Sequence, residues 1–164
     1  RVAKVPPKKV VYILGKNPLW VVGGQRFMDE MITIAGGENL GRKVASDFPQ
    51  MTRETLVALE PEVLLIGAAG EPAPRKLNDP DDPRVAAWLN LDIPATRRTG
   101  EGPYVYLVTG GNSQMASLEL PQMTLDLARL IHPEIRDLPA TADGLVTTSG
   151  GENAPATQKH EAVK

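Results

Sequence analysis

Cysteine is absent from the 164-residue chain. Disulfides, thiolate metal cages and cysteine nucleophiles are therefore excluded. The absence fits an exported bacterial protein that avoids adventitious oxidation, and it fits many cytosolic proteins equally. Histidine is scarce: the two are His132 and His160. Without cysteine they do not make a transition-metal cage of the usual type, and no metal site is expected. His132 ends a predicted helix, where a cation near the last carbonyls is favourable, and His160 lies in the tail. Neither charge dominates; a formal net charge of -2 gives no electrostatic case for nucleic acid. No apolar run approaches the ~20 residues that span a bilayer. No signal peptide is visible, and the chain begins at Arg1, as a mature or trimmed protein would. Enzyme signatures are missing as well: there is no Gly-x-Ser-x-Gly elbow, no P-loop and no His-Glu-x-x-His. Gly23-Gly24 and Gly110-Gly111 are glycine pairs without the spacing of a phosphate loop. The chain is read as a non-enzyme.

What is present is an ordinary globular composition, 41% hydrophobic and 23% charged. The length suits one domain, or one domain with a tail. Lys8 to Gly15 reads as a strand whose apolar residues run on without alternation, which suits burial on both faces. Gly15 to Gly24 reads as a loop. A helix is expected from about Arg26 to Ala35, ended by Gly36-Gly37, because glycine takes the left-handed C-terminal conformation freely. Thr52 caps a short helix that stops at Pro61, and Val63 to Ile66 is a strand opening at Gly67. Asp82-Pro83 starts another helix with Val85, Trp88 and Leu89 on one face. Ile93-Pro94-Ala95 reads as a short extended piece, Tyr104 to Val108 as a strand, and the last helix runs to His132 and stops at Pro133. Strands alternating with helices predict an α/β fold: three layers, a mostly parallel sheet of about four strands, and helices on both faces. From about Leu138 the residues are polar and small. A flexible tail is the simpler reading of 138–164, and a segment that pairs with a partner chain is the other.

The order of these pieces resembles a known family. Lys9 to Leu14, Phe27-Met28-Asp29-Glu30-Met31, Ala35-Gly36-Gly37-Glu38-Asn39, Gln50-Met51-Thr52-Arg53-Glu54 with Pro61-Glu62-Val63, Ile93-Pro94-Ala95 before Tyr104-Val105-Tyr106, and Leu127 to Glu134 follow in register. Together they are similar to the C-terminal lobe of the type III substrate-binding proteins of ABC importers. The resemblance covers nearly all of Lys8 to Glu134. It implies a domain over 8–137, preceded at 1–7 by the end of an interlobe helix. It also implies export to the periplasm or extracellular space and half of a cleft for a cobalamin-, haem- or ferric-siderophore-like ligand. That ligand would be delivered to an ABC permease, with no cofactor beyond it. The cleft would be completed by a second lobe or a second copy of the chain. An alternative is a lobe repurposed as an interaction or structural subunit of a cell-envelope assembly. The family's cobalamin binders carry aromatic and acidic residues after the last strand; here that loop reads Gly110-Gly111-Asn112-Ser113-Gln114, and the importer-docking glutamate falls near Gln114.

Ligands of open α/β sheets sit beyond the carboxyl ends of the strands. That rule selects Lys16, Asn17 and Trp20 after the first strand, Gly67 after the second, and Asn112 and Gln114 after the third; the resemblance implies Phe48 and Gln50 as well, on the loop that borders the family's cleft. Trp20 can stack on a flat macrocycle, fold back to cap the domain, or meet a partner protein. Phe48 reads either as a cleft residue or, more simply, as a hydrophobic staple ahead of the Thr52 cap. Lys16, Arg26, Arg42 and Lys43 could hold ligand carboxylates, or form a solvated face. Asn78 to Asp82 superficially suggests a calcium loop, but it lacks the central glycine and the bidentate glutamate; turn and cap chemistry explains it better.

Overall fold

A computed structural model describes residues 5–45, 47–72, 78–97, 102–109 and 120–135. Strand β1 (Lys8–Lys16) is the spine of the sheet, and Val10 to Ile13 are buried on both faces, as their unbroken apolar run requires. It pairs in parallel with β3 (Gly37–Asn39) and β4 (Val63–Gly67), and antiparallel with β2 (Leu19–Val21). Strand β5 (Val105–Val108) continues the sheet in parallel beyond β4. Five strands therefore replace the four expected. The two additional ones are three residues each, too short for any periodicity to show. One lies in the stretch read as a loop, where the chain turns back on β1 as a hairpin. The other carries the residues read as a helix stop.

Helices cover both faces. On one side α1 (Phe27–Ile34) and α4 (Leu120–Ile131) pack on Val10, Tyr12, Leu65, Tyr106 and Val108. On the other, α2 (Arg53–Ala58) and α3 (Pro83–Ala86) bring Leu56 and Val85 onto Val11, Ile13, Leu64, Ile66 and Leu107, with Trp88 just beyond α3. The three-layer α/β expectation is met.

Local chemistry explains the boundaries. Gly36 sits at φ +84°, reversing the chain after α1. Gly37 then passes so close to α1 and β1 that a Cβ would lie 2.7 Å from Ile32 Cγ2 and 2.9 Å from Val10 Cγ2. The Thr52 hydroxyl accepts from the Thr55 N–H at 3.1 Å and caps α2. Asp82 accepts from the Arg84 N–H at 2.9 Å, with Pro83 in the first turn of α3. Asp79 accepts from the Asp81 N–H at 3.2 Å, so the acidic stretch does perform turn and cap chemistry. Pro94–Thr96 is a 3-10 turn rather than an extended piece; proline pre-sets its φ, and the Thr96 N–H closes onto the Ile93 carbonyl at 3.1 Å. His132 ends α4 as expected and is fully buried. Its Nε2–H donates to the Gly36 carbonyl at 2.9 Å, and Nδ1 lies 3.0 Å from Glu134, tying the end of α4 to the α1–β3 junction.

Candidate functional site

The parallel strands all point the same way, so the ends of β1 and β4 and the start of the chain beyond them form one rim. Two recesses open there and share Tyr12, Leu14 and Phe48. One, of about 420 Å³, extends toward Gly67, Ala68 and Glu71. The other, of about 320 Å³, extends toward Arg26, Phe27 and Met28.

Backbone pairing decides which side chains reach the rim. Val10 and Tyr12 point to the α1/α4 face, and alternation carries Leu14 to the same side past the end of the core. A register shift between Ile13 and Gly15 makes Leu14 an extra residue, which the hairpin leaves 41% exposed. Residues 47–51 then run antiparallel beside β2. The Gly23 N–H donates to the Asp47 carbonyl, Val21 to Pro49, and Met51 to Leu19, with Trp20 facing Gln50. That register sets Phe48 across from Val22, so Trp20, Val22, Phe48 and Gln50 share the face of Tyr12 and Leu14. Phe48 is 46% exposed and Trp20 41%. Leu14, Trp20 and Phe48 thus make an apolar face at the open end of the sheet. Among the described residues they are three of the five large hydrophobic side chains left exposed, and a cluster of that kind marks a contact surface better than scattered ones do.

Phe48 is not the staple of α2. Met51 and Leu56 hold the N′ and N4 positions and lie buried in one cluster. Phe48 instead lies under the Arg26 guanidinium, 4.9 Å from ring centroid to Cζ, while Arg26 reaches Asp47 at 2.9 Å. On the opposite flank Glu71 accepts from Arg84 at 3.0 Å, and Arg84 also clamps Asp82 at 2.6 Å. Arg84's hydrogen bonds hold the Asp82 carboxyl below the usual range, with Lys16 contributing through its charge; the same contacts raise Arg84. A base and an acid therefore border the apolar floor, each neutralised by its own partner.

Of the residues singled out from the sequence, Phe48 and Gly67 line these recesses. Gly67 acts by omission: a Cβ there would stand 3.3 Å from Tyr12 Cε1, so glycine leaves the phenol ring its place. Trp20 and Gln50 flank the recesses on the same face without lining them. The indole lies over Gly15, with Cδ1 3.4 Å from where a Cβ would be. Lys16 ends β1 and Asn17 sits in the hairpin turn, and neither lines a recess. Asn112 and Gln114 lie outside the described residues. Arg42 pairs with Asp29 at 2.7 Å and Lys43 with Glu38 at 2.9 Å. Tyr12 and Leu14 were missed, because both sit inside a run that reads as core. The signal that could have found Leu14 is its place as the last apolar residue before Gly15. Among the described residues no cluster of three or more histidine, aspartate or glutamate side chains could hold a metal, and no helix is long and apolar enough to cross a membrane.

This architecture, a mostly parallel sheet with an antiparallel hairpin at one rim, is a fold shared with solved substrate-binding proteins, as the resemblance implied. The chain is similar to an ABC transporter substrate-binding protein from Listeria monocytogenes EGD-e, with a TM-score of 0.60 at 20% identity over 80% of this chain and 50% of that one. It is similar to a periplasmic heme-binding protein from Roseiflexus sp. RS-1, with a TM-score of 0.53 at 18% identity over 80% of this chain and 49% of that one. In sequence it is similar to the vitamin B12-binding protein of Photorhabdus laumondii, 30% identical over 69 residues, which are 42% of this chain and 25% of that protein. No protein-family model matches. The chain spans about half the length of these solved relatives, and the match covers a quarter of the curated one.

Proposed function

We propose that this chain is one lobe of an exported solute-binding protein that presents half of a cleft to a large, flat, mainly apolar ligand. The class is that of a cobalamin, a haem or a ferric siderophore, passed on to an ABC permease without chemical change. The observation that carries the reading is the apolar rim: Leu14 and Phe48 stand exposed over Tyr12 at the carboxyl ends of the strands. Exposed aromatic and branched side chains gain free energy when a ring system covers them, at about 25 cal/mol per Å². The flanking Arg26 and Glu71 can orient a ligand's polar edge. The relatives named vitamin B12-binding and heme-binding support both the fold and the ligand class.

The test is a titration of the protein with cyanocobalamin, hemin and a ferric tris-catecholate, followed by tryptophan quenching and by the ligands' visible absorbance. Trp20 lies beside the rim and reports on occupancy. Saturable binding of one probe, lost when Phe48 is truncated, is the expected result. Absence of saturable binding to all three would overturn the reading.

A further inference from the structure

Beneath the rim lies a buried polar node that the sequence reading left without a role. Asp29 is 1% exposed and Asn39, the last residue of the Gly-Gly-Glu-Asn run, 2%. Asn39 Nδ2 donates to Asp29 Oδ1 at 2.9 Å and to the Gly23 carbonyl at 3.0 Å, while its Oδ1 accepts from the Gly41 N–H at 3.1 Å. Asp29 Oδ2 accepts from the Gln25 N–H at 3.2 Å. Arg42 Nε donates to both carboxylate oxygens, at 2.7 and 2.8 Å. Burial pushes the Asp29 carboxyl up, but the bonds from Arg42 and Asn39 outweigh it and leave the group below its ordinary range.

Both walls of the recess beside α1 hang from this node. It fixes the backbone at Gly23 and Gln25, the latter at φ +61°, a conformation that a side-chain-bearing residue adopts only when held. The next residues, Arg26, Phe27 and Met28, are one wall. Through Gly41 and Arg42 the node also fixes Ala45, which pairs with Gly24; Asp47 pairs with Gly23, and with Phe48 it makes the other wall. Asp29 itself lines neither rim recess.

We infer that Asp29 is a positioning residue for the rim: its ionised carboxylate, bridging Gln25, Asn39 and Arg42, sets the spacing of the Arg26–Met28 wall from Phe48 and so sets ligand affinity without touching ligand. The inference rests on the proposed binding role of the rim. Three donors converge on the two oxygens, so an amide in place of the carboxylate must turn its own NH2 toward a donor. Asp29→Asn therefore loosens both walls while preserving the volume of the side chain.

The experiment compares wild type, Asp29→Asn, Arg42→Gln and Arg42→Lys by cyanocobalamin and hemin titration, by urea unfolding, and by amide hydrogen exchange without ligand. Arg42→Gln serves where Asp29→Asn does not fold, since Arg42 is half-exposed. The expected result is a tenfold or greater loss of affinity for whichever probe binds wild type, in a protein that still unfolds cooperatively. Arg42→Lys, which keeps a cation beside Asp29, should stay within about threefold. Exchange should quicken at residues 23–28 and at 45, 47 and 48 while β4 and β5 are unchanged. Native affinity in Asp29→Asn and Arg42→Gln, or quickening spread evenly over the sheet, overturns the inference. If wild type binds neither of these probes nor the ferric tris-catecholate, the binding role fails instead, and the exchange pattern still decides whether the node positions the walls.

Discussion

Truncation of Phe48 to alanine should separate binding from stability. The ring is 46% exposed, and a phenylalanine side chain has roughly 200 Å² to cover, so about 90 Å² of it stands open to a ligand. At about 25 cal/mol per Å² that area is worth ~2 kcal/mol on complete coverage, a loss of roughly 30- to 50-fold in affinity on truncation. Folding should suffer less. The ring is not in the buried clusters, its main partner is the Arg26 guanidinium at 4.9 Å, and an exposed cation–π contact contributes ~0.5–1 kcal/mol. Tryptophan quenching against the probe that binds wild type measures the first quantity, and the urea midpoint the second. Binding within threefold of wild type would refute the placement of ligand over Phe48. A stability loss above about 3 kcal/mol would show that the ring is core rather than rim, because losses of that size belong to buried aromatics.

Further outcomes follow from other particulars. Asp29, Asp82 and Glu134 are all held below their ordinary values. The native state therefore binds fewer protons than the unfolded chain near pH 4, and the stabilisation is complete above the unfolded carboxylate pKa of about 4 and lost as pH falls through the lower folded values. Urea midpoints taken from pH 7 to pH 2 should be level at first and then drop, and Asp29→Asn should flatten the drop. Gly41→Ala would drive a Cβ into the Val22 carbonyl oxygen and should cost about 1–3 kcal/mol of overpacking in urea unfolding; a change below about 0.5 kcal/mol would mean that the β2 end yields freely. Trp88 is 1% exposed, yet its Nε1–H finds no acceptor among the described residues. Trp88→Phe should consequently sit within about 1 kcal/mol of wild type, because relieving an unsatisfied buried donor, worth about 1–3 kcal/mol, offsets the lost volume. Calorimetry showing a loss above about 3 kcal/mol would mean that the indole N–H is satisfied in solution.

The layers of the fold were legible in the chain because they follow from local rules. An unbroken apolar run such as Val10 to Ile13 is covered on both sides; Thr52 and Asp82-Pro83 announce their helices by cap chemistry; Gly36 ends α1 because it takes positive φ without a Cβ. The end of the sheet that carries the recesses was legible in position, through the general tendency of ligands to sit past the carboxyl ends of strands; Gly67 followed from that rule, and Phe48 from the family resemblance. Its composition was not. Whether Phe48 staples a helix or faces solvent turns on the pairing of 47–51 with β2 and the residues just after it, a match between segments distant in sequence that leaves no periodic trace. Leu14 escapes the core through a single register shift. The worth of Asn39 depends on Asp29, Gly23 and Gly41 arriving together from separate elements. Periodicity and capping act within a turn or a strand and so are written into consecutive residues. A recess, a buried ion pair and a half-exposed ring are set by which strands lie side by side, and only the folded chain makes that choice.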